Sequence, residues 1–342
     1  MRAIYVTETG GPEVLTLTEQ PEPTPGPGDL LVKTEAIGIN FIDTYFRMGQ
    51  YKRPLPYIPG DEGSGVVEAV GSDVSEFTVG DRVAWAAATG SYAEKVAVPA
   101  AVAVKVPDGV PASAAASALL QGMTAHYLAK STYPIQSGDT VLVHAGAGGV
   151  GLILTQMAVS LGAKVITTVS SNAKEELSRG AGASEVLRYE EDIAARVREL
   201  TGGEGVAAAY DGVGATTFDS SLASVRIRGT VALFGAASGP VPPVDPQRLN
   251  SSGSLFLTRP TLAHHIRTRE ELTWRAGDVF DAIAAGKLDI RVGAEYPLAD
   301  AATAHRDLEG RATTGSIVLI PSEVLCAFIN RPRLIKAHSR IS

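Results

Sequence analysis

The run His144-Ala145-Gly146-Ala147-Gly148-Gly149-Val150-Gly151 is the place where this chain's residue types most clearly invite chemistry. Glycines so spaced let a backbone approach a bulky anion, because no Cβ stands in the way. A helix starting there adds unpaired N–H groups and a partial positive charge. Gly146 to Gly151 fits G-x-G-x-x-G. Strand-like Thr140–His144 precedes it. Val150, Ile153, Leu154, Met157 and Leu161 follow at helical spacing, and Gly162 can end that helix. In this setting the motif reads as a pyrophosphate site for a dinucleotide. The competing reading is a tight strand-to-helix turn without ligand.

The end of the next strand, expected at Lys164–Val169, selects the nucleotide. An acid there would bind a ribose 2′-hydroxyl and repel a phosphate. The sequence offers Val169-Ser170-Ser171-Asn172 and then Lys174. Hydroxyls and a cation suit a 2′-phosphate, so NADPH is expected over NADH. A plainer role is compatible with this one. Ser171 or Asn172 would cap a helix from about Ala173, Asn172 and Glu175 having capping-box spacing.

Asn40, Asp43 and Tyr45 form a polar group among apolar Ile39, Phe41, Ile42 and Phe46. They are candidates for the reacting half of the nucleotide, with a hydrogen-bonded turn as the alternative. Tyr51 is either a substrate-facing ring or a surface aromatic. Tyr189, after the third strand, is placed to stack near adenine. His144 is expected to be a buried, satisfied histidine, and His126 a helical one without chemistry. His264 and His265 lack metal-ligand partners and read as a solvated pair.

These side chains need two kinds of scaffold. Short β-rich runs at Ala3–Val6, Leu30–Ala36, Gly65–Val70, Arg82–Ala86 and Ala93–Val98 predict a barrel or sandwich. From about Ala112 the sequence turns alanine-rich and helical. Strands predicted at Glu185–Leu187, Gly205–Tyr210, Thr230–Phe234 and Ser254–Thr258 then alternate with helices, the pattern of a parallel, doubly wound sheet. Beyond Pro260 the spacing predicts a helix over Glu271–Ala285, a shorter one over Ala299–Leu308, and a strand at Gly315–Ile320. Arg331, Arg333, Lys336 and Arg340 lie in a tail, 322–342, that reads as a weakly ordered extension.

The 342 residues suffice for two domains, and 45% hydrophobic with 20% charged residues is a globular balance. A net charge of −7 disfavours nucleic acid as partner. Cys326 is the single cysteine, so no internal disulfide can form, and a reducing compartment, the cytoplasm, is expected. Neither a signal peptide nor a membrane span is expected, since no run of about eighteen apolar residues occurs.

Several segments together resemble one family. They are Gly11-Pro12-Glu13-Val14-Leu15, Ala36 to Asp43, Ala145 to Gly151, Tyr210-Asp211-Gly212-Val213-Gly214, Leu257-Thr258-Arg259-Pro260 and Arg311-Ala312-Thr313-Thr314-Gly315. They are similar to the zinc-free quinone oxidoreductases of the medium-chain dehydrogenase/reductase superfamily, over about residues 1–321. The resemblance implies an α/β protein with a GroES-like β domain and a Rossmann domain, the active cleft between them. It implies a first catalytic part at 1–121, a nucleotide domain at 122–259 and a return segment at 260–321. It implies cofactor contacts from Asn40, Asp43, Tyr45, Thr124, Gly148, Gly149, Val150, Ser171, Lys174, Tyr189, Phe234, Arg259 and Arg311. Gly212 departs from the family, whose members often carry a polar side chain there. A homodimer, through edge strands of the Rossmann sheets, is also implied.

Zinc-dependent relatives hold their metal with cysteine, histidine and acid ligands. Here the Gly-His-Glu motif reads Gly60-Asp61-Glu62, and the segment after Gly38 has no cysteine. Zinc wants nitrogen or thiolate ligands, so no metal site is expected. Without a Lewis acid, readily reduced acceptors such as quinones or conjugated carbonyls suit the chemistry better than simple alcohols. The expectation is a hydride transfer from NADPH to a quinone or related enone. Reduction of an enoyl or alkenal substrate, or a non-catalytic NADPH- or RNA-binding role, are the alternatives.

Overall fold

Alternation of apolar and polar residues organises the first hundred residues. In the computed structural model of the chain, which describes residues 1–321, β1 (Arg2–Tyr5) and β2 (Thr16–Glu19) form a small antiparallel pair. The long β3 (Asp29–Ile39) buries Leu30, Val32, Thr34 and Ala36 on one face, as period-two patterning requires. After α1 (Phe41–Arg47) come β4 (Gly63–Val70), β5 (Arg82–Trp85), β6 (Lys95–Pro99) and the short β7 (Val104–Lys105). β4 lies along one side of β3, and β6 pairs with the first half of the other.

α2 (Ala112–Tyr127) leads from this β sheet to the second one. Alanine lets it sit deep: nearly every side chain beyond its first turn is buried. Gly122 permits a close helix crossing, since a Cβ there would stand 2.9 Å from Val279.

The second sheet alternates strand and helix. β8 (Thr140–Val143), α3 (Gly149–Ser160), β9 (Lys164–Val169), α4 (Asn172–Gly180), β10 (Glu185–Arg188) and α5 (Ile193–Leu200) come first. β11 (Val206–Asp211), α6 (Phe218–Ser224), β12 (Val225–Leu233), α7 (Gln247–Ser251) and β13 (Phe256–Thr258) complete it. All pairs are parallel, in the order β10-β9-β8-β11-β12-β13. The chain reverses direction across β8 and β11, where such sheets open a crevice at their carboxyl ends.

The last segment comprises α8 (Arg269–Ala284), β14 (Val292–Pro297), α9 (Ala301–Glu309) and β15 (Ser316–Ile320). β15 pairs antiparallel with Ile37 to Ile39 of β3, and β14 parallel with β15. The return to the first sheet is thus a matter of strand pairing. It also explains why β3 runs on to Ile39 when its alternating pattern stops at Ala36: the last residues find partners almost 280 positions away. β14 escapes the sequence pattern because Gly293 and Pro297 interrupt it. The basic tail lies outside the described residues.

Candidate active site

One cleft of about 850 Å³ runs between α2, the carboxyl ends of β8, β9 and β11, and the α1 end of the first sheet. The glycine loop forms its floor. A Cβ on Gly146 would meet Thr167 at 2.5 Å, one on Gly149 would meet Gln121 at 1.9 Å, and one on Gly151 would meet the Ala145 carbonyl at 2.1 Å. Packing demands Gly146 and Gly151, while at Gly149 the obstacle is the movable Gln121 amide. Gly148 differs: its Cβ would touch only the Ala145 carbonyl, at 3.3 Å. Gly148 is the N-cap of α3 and offers no side-chain cap, so the first N–H groups of the helix remain available. The floor is tied to the return segment, where Gly315 N–H donates to the Ala147 carbonyl at 2.9 Å.

At one end of the cleft stand two cations. Lys174 Nζ donates to the Arg311 carbonyl at 2.8 Å and to Ser170 Oγ at 3.4 Å. Neither Lys174 nor Arg311 has a carboxylate partner among the described residues. Burial, and then the neighbouring Arg311 charge, hold the Lys174 ammonium below the usual lysine range. Two unpaired cations in one corner favour a multiply charged anion. The wall here comes from Ser170 rather than Ser171. Ser171 instead caps α4, its hydroxyl accepting the Lys174 N–H at 3.3 Å. The expected Asn172–Glu175 capping box does not form. Asn172 is already helical, and both side chains accept hydrogen bonds from Arg188.

Tyr189 lines the cleft, its hydroxyl accepting the Ala145 N–H at 3.0 Å. His144 is buried and satisfied by Thr168 and Ser221, as its position at a strand end suggested. Burial lowers its pKa. Phe234 also lines the cleft, and it accounts for Gly212, where a Cβ would stand 2.8 Å from the Phe234 ring.

The other end is largely apolar-walled. Tyr45 lies edge-on to Tyr51, centroids 5.4 Å apart, and its hydroxyl accepts the Ala236 N–H at 3.0 Å. Burial, more than any charge, raises the Tyr45 phenol above its ordinary pKa. Arg259 donates to the Tyr51 hydroxyl at 3.3 Å. Asn40, Thr124, Val150 and Gly149 share this wall. Asp43 does not reach it. Its carboxylate accepts the Asn40 N–H and the Tyr92 hydroxyl, each at 2.9 Å. The chain continues from Tyr92 to His305 at 3.0 Å, to Arg47 at 2.9 Å, and to a bidentate Arg47–Glu309 pair. Asp43 therefore fixes the start of α1 from behind.

The expected solvated histidine pair is also revised. His265 stacks flat on Tyr127, with centroids 4.1 Å apart. His126 is buried between Arg275 and Asp278. Two residues enter the site unannounced: Gln121, in the wall beside Asn40, which belongs to no motif, and Glu62 behind it, which the sequence showed only in Gly60-Asp61-Glu62. Gln121 carried a faint signal, one polar amide three positions before Thr124 in an apolar helix.

The zinc position can be tested on its donors. Asp61 is bound by Arg53 at 3.0 Å, and Glu62 by Asn40 and the Leu120 N–H. Among the described residues neither carboxylate has nitrogen or thiolate co-ligands, so these residues do not fit a zinc ion.

A parallel sheet with a glycine loop at its switch point, set against a β domain, defines a two-domain, nucleotide-dependent oxidoreductase. Family models agree: "Alcohol dehydrogenase GroES-like domain" matches residues 26–108 and "Zinc-binding dehydrogenase" residues 149–281. A Pseudomonas aeruginosa quinone oxidoreductase is 46% identical over 94% of this chain and 99% of its own length. A Burkholderia 2-haloacrylate reductase is 41% identical over 93% and 98%. A mycobacterial protein solved as a complex with NADPH is 63% identical, with a TM-score of 0.92, over 94% of this chain and 100% of that one. The chain belongs to the quinone oxidoreductases of the medium-chain dehydrogenase/reductase superfamily.

Proposed function

We infer that this protein transfers a hydride from NADPH to a quinone or a related conjugated carbonyl, without a metal. The observation that carries the reading is one cleft with an open glycine, Gly148, on its floor and two unpaired cations, Lys174 and Arg311, at one end. Its relatives' names and the NADPH complex support it.

The nicotinamide, when bound, supplies the hydride. The chain supplies position. Gly149 and Val150 offer backbone N–H groups to the pyrophosphate, which approaches over the bare Cα of Gly148, whose own N–H is held by the Ala145 carbonyl, and Lys174, Arg311 and Ser170 meet the 2′-phosphate. Ser171 contributes through its cap. Tyr189 borders the adenosine, while Phe234 and Arg259 line the path to the reacting end. Asn40, Tyr45 and Thr124 hold the nicotinamide half, with Asp43 as their support and Tyr51 facing substrate. The Tyr45 oxygen accepts from Ala236, which leaves its hydrogen free for a ligand. No acid or base in the wall is tuned for proton delivery, so product oxygen takes its proton from solvent. The short β13 edge, with Phe256 exposed, suits pairing between two copies as a homodimer, and the cytoplasm is the expected compartment. No helix among the described residues is long and apolar enough to cross a membrane.

Steady-state NADPH oxidation with a panel of quinones, enals and haloacrylates tests the reading, before and after dialysis against a strong chelator. Turnover with quinones, unchanged by the chelator, is expected. Activity lost on chelation and restored by zinc would refute the metal-free mechanism.

A further inference from the structure

Glu62 is 1% exposed and no cation touches it among the described residues. Its Oε1 accepts the Leu120 N–H at 2.8 Å, and its Oε2 lies 2.7 Å from the Asn40 amide. The Asn40 amide is in turn 3.0 Å from that of Gln121, which is 2.6 Å from Ser316 Oγ. All four side chains are buried, and Asn40 and Gln121 form part of the cleft wall.

An amide's nitrogen and oxygen exchange places after a half-turn, so these distances fit two hydrogen-bond polarities. With Glu62 ionised, every donor points towards it. Ser316 donates to Gln121, Gln121 to Asn40, and Asn40 to Glu62. With Glu62 protonated, its hydrogen must sit on Oε2, because Oε1 already faces an N–H. Asn40 must then turn its oxygen to Glu62, and Gln121 its oxygen to Asn40, while Gln121 donates to Ser316. Each link survives in both states, but the atoms that Asn40 offers the cleft are exchanged.

We propose that Glu62 is a positioning residue: through the buried chain Glu62–Asn40–Gln121–Ser316 it decides whether Asn40 presents donor or acceptor to the bound nucleotide. This rests on the reading that Asn40 meets the nicotinamide half of NADPH. Burial pushes the Glu62 carboxyl up to about 8, against the pull of Asn40 and the Leu120 N–H. Asp43 on α1 raises it further, while Asp61, the next residue, is turned onto Arg53. A bound anionic nucleotide opposes ionisation of Glu62, so affinity falls as pH rises through about 8. Glu62→Gln can accept from Leu120 and donate to Asn40, which locks the protonated polarity.

Two measurements decide the matter. NADPH is titrated by its fluorescence from about pH 6.5 to 9.5, in wild type and E62Q. Wild-type affinity should fall about three- to ten-fold over that range, the worth of one hydrogen bond. E62Q should stay flat at the acid-side value. Infrared difference spectra of the nucleotide-free protein should show two buried carboxyls losing their protons in wild type, Asp43 at about 7 and Glu62 at about 8, and only the Asp43 signal in E62Q. A step that persists in E62Q would assign the titration elsewhere, Lys174 first, and overturn the proposal. So would identical carboxyl signals in wild type and E62Q. Failure to bind NADPH at any pH would instead sink the cofactor reading. The infrared signal needs no nucleotide and still decides the state of Glu62.

Discussion

The two ends of the cleft are built on opposite principles. The end proposed for the phosphates is made mostly of residues close in sequence: the glycine loop, then Ser170 and Lys174 some twenty positions on, with Arg311 as a distant addition. Its cations have no carboxylate partner among the described residues, and its strength is electrostatic. The end proposed for the nicotinamide is assembled from β3, α1, α2, β12 and β15, and most of its polar groups are buried and hydrogen-bonded to one another. A charged end loses affinity in steps when single contacts go. A hydrogen-bonded end loses geometry, because removing one member leaves a buried partner unsatisfied.

The largest effect expected of a single change is at Gly148. Gly148→Val fills the open floor and should displace at least two charge-assisted contacts, about 1.5–3 kcal/mol each, so NADPH affinity falls at least about a hundred-fold. Gly151→Ala, one turn away, should lower thermal stability instead, since its Cβ would meet the Ala145 carbonyl at 2.1 Å. Fluorescence titration beside thermal unfolding separates the two. If Gly148→Val unfolds while Gly151→Ala binds weakly but stays stable, the assignment of floor and packing is reversed.

Lys174→Glu comes next. If this corner holds the 2′-phosphate as proposed, the change should cost about ten- to a hundred-fold in NADPH affinity and leave NADH nearly untouched. An unchanged NADPH-to-NADH ratio would move the phosphate away from Lys174 and Arg311.

The smallest effect sharpens the other end. Burial, with Asp61 adding to it, pushes the Asp43 carboxyl up to about 7, from an ordinary 3.8. Below the lower value both folded and unfolded states hold the proton. Between the two values only the unfolded state releases it, so wild-type stability falls with rising pH and levels off above about 7. Asp43→Asn keeps an oxygen for Asn40 and Tyr92 and carries no charge. Its Tm should match wild type near pH 4 and exceed it by about 2–4 °C at pH 8. A Tm lower than wild type at both pH values would mean that the Tyr92–His305–Arg47 chain holds an ionised Asp43 comfortably.

This contrast also marks how far the sequence could be read. The phosphate end was legible because its determinants are local: a glycine spacing, a strand before it, a helix after it, and a missing acid at the end of β9. The doubly wound sheet was legible for the same reason, each strand and helix announcing its own period. Asn40 and Tyr45 stood out as polar residues in an apolar run. Their neighbours Glu62, Gln121 and Ser316 did not, since each becomes part of the site only when β4, α2 and β15 meet.

Sequence alone determined the alternating strands and helices of the doubly wound sheet, the glycine spacing of the loop and the preference for a phosphorylated ribose, all of which follow from side-chain size, backbone freedom and charge within short spans. Tertiary structure decided which glycine faces the ligand, that Ser170 rather than Ser171 lines the wall, and that Asp43 stands behind it. It also made β3 long and gave Glu62 its shifted titration. The physical reason is common to all of these. Burial and hydrogen-bond partnership are set by atoms tens to hundreds of residues away, and no local pattern encodes which of them will arrive.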